Sequence, residues 1–185
     1  MLNYATNHRQ SRWQSLEKET EMKELINKIS SYNLFNYLFP GIIFVIILRE
    51  ITDYDLVQEN NFLGAFLYYL IGLIISRFGS LIIGKILQSK KLKFVKFADY
   101  SEFIFASDKD EKIELFSEVN NMFRTLISLF CLLLLSKIYQ KFSNYLEISK
   151  DLSYTILLIG LIILFVFSYR KQTAFITKRI AARNK

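Results

Sequence analysis

Hydrophobic and polar positions in this chain fall into long blocks rather than a fine alternation. Four stretches, 29–48, 62–87, 122–139 and 152–169, are almost wholly apolar. Each comes near the roughly 20 residues a helix needs to cross about 30 Å of hydrocarbon. The last of them, LSYTILLIGLIILFVFS, carries no charge, while the second is the longest and holds Arg77 and Lys85. A soluble four-helix bundle shows one apolar stripe per helix, and blocks apolar all round do not fit it. The pattern predicts four transmembrane helices.

The polar connections carry their own patterns. KKLKFVKF alternates charged and apolar residues at period two, as a short strand or an interfacial segment would. The following SDKDEKIELFSEVNNMFRTLISLF reads as a helix. Ser107 or Asp108 is placed to cap it, acids crowd its first turns, and Ile113, Phe116, Val119 and Phe123 recur at three- and four-residue steps. No breaker separates it from the third apolar block, so one long helix is expected to run from the aqueous phase into the membrane. Near the start, SLEKETEMKELINKI has a thin stripe of Leu16, Met22, Leu25 and Ile26, consistent with a helix leading into the first span. The expected organisation is a polar segment 1–28, spans one and two within 29–87, a basic and acidic excursion 88–121, spans three and four within 122–169, and a basic tail 170–185.

Charge gives this layout a direction. The net charge is +7 from 24 basic and 17 acidic residues. The basic residues gather in the N-terminal segment, the 88–121 excursion and the tail, while REITDYDLVQENN between spans one and two carries one arginine and four acids. By the positive-inside rule both termini and the excursion are cytoplasmic. The polar start shows neither the early apolar core nor the small-residue cleavage site of a secretory signal. The fold class expected is an all-α integral membrane protein with both termini inside and helices two and three extended into the cytoplasm.

Composition then narrows the chemistry. Apolar residues make up 52% and charged ones 22%, a mixture typical of membrane spans separated by charged connections. One cysteine, Cys131, and one histidine, His8, leave no intrachain disulfide and no zinc site. Glycine-rich phosphate loops, GxSxG elbows and HExxH are absent from the sequence. No catalytic residue, cofactor or metal is therefore expected.

Several residues break the rules of a lipid-facing helix. SSYNLFNYLFPGIIFVIIL opens with two asparagines and carries the only proline, Pro40, close to mid-span. Proline lacks an N–H and clashes with the carbonyl four residues back, that of Asn36. At about 100° per residue Asn33, Asn36, Pro40 and Phe44 share one face. That face could line a pore or knit subunits together, or the asparagines could sit at headgroup level with the kink satisfied by neighbouring helices. Arg77 lies roughly 22 Å along the second span at 1.5 Å per residue, deep enough to snorkel inward or to ring a pore mouth. Gly72, Ser80 and Gly84 form a small-residue face suited to close helix contact. Arg124, at the start of span three, is placed to meet phosphate headgroups. Lys90, Lys91, Lys93 and Lys96, interleaved with Phe94 and Phe97, suit anionic lipid, the acids Asp108, Asp110, Glu111, Glu114 and Glu118, or an anionic nucleotide or oligonucleotide.

The layout, with YNLFNYLFPG at the first span, the acidic helix ending EVNNMFRT and the basic tail, resembles small multi-pass membrane effectors of bacterial antiphage defence. The channel subunits of Hailong-type systems are the example. The resemblance implies a homo-oligomeric ion channel in the bacterial inner membrane. It further implies control by a cytoplasmic nucleotidyltransferase or its oligonucleotide product, and no catalytic residues. A non-conducting membrane anchor that recruits a soluble partner is the other reading of the same layout.

Overall fold

A computed structural model of the chain describes residues 33–89 and 94–183. Every regular element among them is helical. Four helices are long and apolar enough to cross a membrane: α1 (Leu34–Ile51), α2 (Asn61–Leu87), α4 (Lys112–Tyr145) and α5 (Lys150–Arg183). A short fifth helix, α3 (Tyr100–Ser107), precedes α4. The described part of the chain is thus all-helical, with the four apolar helices of a multi-pass membrane protein. Residues 94–99 have no regular structure, so no strand forms in the described part of KKLKFVKF. The proposed N-terminal helix and Lys90, Lys91 and Lys93 lie outside the described residues.

Local chemistry explains where the helices start, widen and stop. The first turn of α1, Leu34–Leu38, is a π-turn, and Pro40 follows it as an early residue of the regular helix. Proline cannot donate to the Asn36 carbonyl, and a wider turn is one way a helix accommodates the missing bond. Where a kink was expected at Pro40, the structure shows this π-turn just before it. Thr52 ends α1, its N–H and its hydroxyl donating to the Leu48 carbonyl at 2.9 and 2.6 Å. Asn60 starts α2, its Oδ1 accepting from the N–H groups of Phe62 (2.9 Å) and Leu63 (3.2 Å). A second π-turn, Gly79–Ile83, interrupts α2 before it ends at Leu87.

The long third span is one unbroken helix of 34 residues, as the absence of a breaker implied. Its start differs from expectation. Ser107 is the last residue of α3, and Asp110 Oδ1 accepts from Lys112 N at 3.0 Å instead. The short YSEFIFAS helix was not read from the sequence, since eight residues give too few turns for a clear period. At the far end, residues 170–183 continue α5 without a break. At 1.5 Å per residue a 34-residue helix is about 51 Å long, some 20 Å more than the hydrocarbon.

The core lies between α1, α2 and α4. Leu48, Ile75, Leu129 and Leu133 are buried together, with Phe44, Ile47 and Ile71 packed against them. Glycines let the backbones approach. A Cβ on Gly41 would strike the Tyr68 carbonyl, and one on Gly72 would strike the Tyr37 carbonyl, so α1 and α2 touch main chain to main chain. A Cβ on Gly79 would strike the Ser128 hydroxyl, so α2 meets α4 there through a side chain, with the nearest α4 carbonyl at 3.3 Å. The small-residue face expected on α2 is therefore used at Gly72, but by α1 and through the backbone.

Helix α5 stands off this trio. None of its most apolar window is buried, and along its whole length only Ser168 and Ala182 are. It is attached at a few points. Tyr139 Oη donates to Ser153 Oγ at 2.9 Å near one end. Farther along, Lys171 Nζ donates to the Ser80 carbonyl (2.6 Å) and hydroxyl (2.7 Å). Beyond these, the rings of Phe175 and Tyr100 lie 5.5 Å apart, and Arg183 pairs with Asp108 at 3.1 Å.

Candidate functional site

Three helices bring one polar side chain each to a point inside this apolar core. Asn36 comes from the π-turn of α1, Ser76 from α2 and Thr125 from α4, exposed to only 1%, 4% and 0%. Asn36 Nδ2 donates to Ser76 Oγ at 3.3 Å, and Asn36 Oδ1 accepts from Thr125 Oγ1 at 2.8 Å. The two hydroxyl oxygens are 3.4 Å apart. A hydroxyl rotor carries its hydrogen to either side. A closed circuit is therefore available, from the Asn36 amide to Ser76, from Ser76 to Thr125, and from Thr125 back to Asn36. Thr125 Oγ1 also lies 2.9 Å from the Asn121 carbonyl, one turn back on α4.

The physical reason for the knot is desolvation. A buried polar group without partners costs about 1–3 kcal/mol, and lipid offers none in place of water. Here each group finds its partner on another helix, which fixes the depth of α1 against α2 and α4. The π-turn bears on this, because Asn36 projects from it. Ser128, one turn along α4 from Thr125, instead returns its hydroxyl to the Arg124 carbonyl at 2.6 Å.

Next to the knot lies a charged pair of contacts. Tyr37 is buried, its ring edge-to-face with Tyr69 at 5.5 Å, and its hydroxyl oxygen accepts from Arg77 Nη2 at 3.3 Å. Arg77 follows Ser76 directly, so the same turn of α2 supplies both the buried hydroxyl and the guanidinium at the rim. Nothing in this arrangement is a nucleophile with a base beside it. Among the described residues no group of His, Cys, Asp and Glu could hold a metal ion. The knot can set the register of the three helices, and Arg77 is held beside it by Tyr37.

The residues singled out in the sequence divide accordingly. Asn36 and Pro40 are buried, and Phe44 packs on the apolar cluster, so their shared face meets this chain's own helices. Asn33 opens the first helical turn and is partly buried. Arg77 joins the site through Tyr37. Lys96 is exposed in the segment before α3, beside Asp99 and Glu102. Ser76, Thr125 and Tyr37 were not foreseen. The available signal was a polar residue inside an apolar block, such as Thr125 in RTLISLF, which marks a helix contact in lipid.

Comparisons with protein-family models, curated proteins and solved structures return no match to this chain.

Proposed function

We propose that the chain is the subunit of a homo-oligomeric ion channel in the bacterial inner membrane, serving as a depolarising antiphage effector. What supports the reading is that the described helices of one chain enclose no conduit. Helices α1, α2 and α4 close on a filled core, and α5, with no part of its apolar window buried, stands outside them. A conduit can then arise only between copies. The knot serves as the rigid frame of each subunit, and Arg77 stands at the mouth on the α3 side. That side, rich in lysine and arginine, faces the cytoplasm in this reading. There a nucleotidyltransferase or its oligonucleotide product supplies the opening signal, as the resemblance to Hailong-type effectors implies.

The second reading is a non-conducting membrane anchor that recruits a soluble partner. The observation favouring it is that the Asn36 carboxamide bonds within its own chain and offers little to a permeating ion. Reconstitution separates the two. A channel gives discrete current steps in a planar bilayer and an oligomeric mass by light scattering in mild detergent. Silent bilayers with a monomeric mass in detergent and in lipid discs would leave the anchor. In the same preparations, cysteines introduced at Asp53 and Asn144 should label from outside and one at Lys178 should not, with Cys131 replaced by alanine.

A further inference from the structure

The outer face of α5 keeps one pattern from the apolar run into its charged end. Steps of alternately three and four residues lead along it through Ile159, Ile162, Val166, Tyr169, Thr173, Ile176 and Ile180, every one of them exposed. That is the seven-residue repeat of a coiled-coil seam, with Ile159, Val166, Thr173 and Ile180 at a and the others at d. The residues by which α5 meets its own chain lie elsewhere on it. Ser153, Lys171 and Phe175 make contacts and Ser168 and Ala182 are buried, all five at b, c or f positions, opposite the seam. Arg183, paired with Asp108, comes after the seam ends.

Within the apolar run almost any stripe is hydrophobic, so the pattern is decided beyond it. Arg170 and Lys171 end the run, and from there to Arg183 the exposed large apolar residues are Phe175, Ile176 and Ile180. Phe175 lies against Tyr100. Ile176 and Ile180, 54% and 57% exposed, are the two that fall on the seam. They stand about 9 and 15 Å past Arg170 at 1.5 Å per residue, whereas the headgroup layer adds only about 5–8 Å to each side of the hydrocarbon. A partner helix covers both parts of such a seam; lipid covers only the first. Thr173 keeps its hydroxyl within α5, donating to the Tyr169 carbonyl at 3.1 Å.

We propose that this seam is where copies of the chain meet, α5 against α5, in a parallel bundle on the axis of the homo-oligomer. Copies inserted in one direction and related by a rotation axis along the membrane normal pair in parallel. The flanking positions allow it. In a parallel bundle each g residue stands beside the e residue five places on in the neighbouring helix. Through Thr177 those pairs are Leu158 with Ile163, Phe165 with Arg170, and Gln172 with Thr177. No like charges oppose each other there, although the end of the helix is strongly basic. β-branched residues at every a position, with isoleucine at two of the d positions, favour three or four helices over two. The inference rests on the homo-oligomeric part of the proposed function and not on conduction.

The test is disulfide cross-linking of the full chain in proteoliposomes, with single cysteines placed through 173–180 in a Cys131→Ala background. Thr173→Cys, Ile176→Cys and Ile180→Cys should each give a covalent dimer on oxidation with copper phenanthroline. Their yield should be about fivefold or more that of Ala174→Cys and Lys178→Cys, which lie at b and f. Light scattering of the same variants in mild detergent reports whether the oligomer is intact. Cross-linking without the seven-residue preference, in an oligomer of normal mass, overturns the seam and leaves the homo-oligomer standing. An oligomer of normal mass with no disulfide at any seam position does the same, because α5 then faces lipid or a different helix of its neighbour. A monomeric mass with no cross-link at any position overturns both readings.

Discussion

Helix α5 and the α1–α2–α4 trio are comparably apolar, yet they are held in opposite ways. The best window of α5 has a mean hydropathy of 2.3 and is 0% buried, while that of α1 has 1.8 and is 33% buried. The most hydrophobic helix is the one least packed. In water that order would be perverse; in lipid it is reasonable, because an apolar surface gains little by leaving hydrocarbon for protein. What draws α1, α2 and α4 together is close backbone approach at glycine and the hydrogen-bonded knot. Helix α5 has neither along its apolar length, and is fastened only where its side chains turn polar or aromatic.

The sharpest way to break this comparison is to place the same substitution in both regions. Gly72→Leu drives a side chain into the Tyr37 main chain, and neither backbone can yield without parting α1 from α2. Overpacking of this kind costs about 3 kcal/mol or more. Gly160, in mid-α5, has nothing within 4 Å of its would-be Cβ. Gly160→Leu should leave stability within about 0.5 kcal/mol, or raise it slightly through helix propensity. Denaturation in mixed SDS micelles, followed by circular dichroism, measures both. Equal losses would mean that α5 is packed after all.

A smaller effect tests whether the knot acts as a unit. Asn36→Leu and Thr125→Val each remove one member and should cost about 1–2 kcal/mol, since each leaves a partner hydroxyl or amide poorly satisfied. The double variant should cost less than the sum, with a coupling near the average of about 0.6 kcal/mol measured for interhelical bonds in lipid and no more than their maximum of about 1.7 kcal/mol. Strict additivity would show that Asn36 and Thr125 are neighbours without a shared bond. The single-channel arm follows from the same variant. If the Asn36 face lined the conduit, Asn36→Leu would lower conductance in an intact oligomer; a frame role lowers stability instead.

Much of this was legible in the sequence, and the remainder was not for identifiable reasons. The four apolar blocks announce four helices because length and composition suffice for a membrane span. Pro40 announces a distortion at the right place, because loss of one N–H is local chemistry. The partners of Asn36 could not be read, since Ser76 and Thr125 lie 40 and 89 residues away and meet it only once three helices have packed. The π-turn at Gly79–Ile83 has no proline to signal it, so it was hidden too. Helix α3 was too short to show a period, and the extension of α5 through residue 183 was masked by its charge, which read as a tail.

The smallest effect concerns the far end of α5. Its last turns are joined to α3 by the Arg183–Asp108 pair and by the contact of Phe175 with Tyr100. The pair is a surface one, both side chains being 54% exposed, so it contributes about 0–1 kcal/mol and less as salt rises. Asp108→Asn should therefore leave the SDS midpoint unchanged within about 0.5 kcal/mol. Hydrogen exchange reads the local consequence. Amides of the last two turns of α5 should exchange severalfold faster in Asp108→Asn at low salt, and the difference from wild type should vanish near 1 M salt, where the Debye length falls to about 3 Å. Phe175→Ala should speed the same amides at every salt concentration, because ring contact is not screened. A salt-independent effect of Asp108→Asn would show that the carboxylate holds α5 by something other than charge. A global loss above about 1 kcal/mol would reverse the comparison, making a surface ion pair do for α5 what the buried knot does for α1.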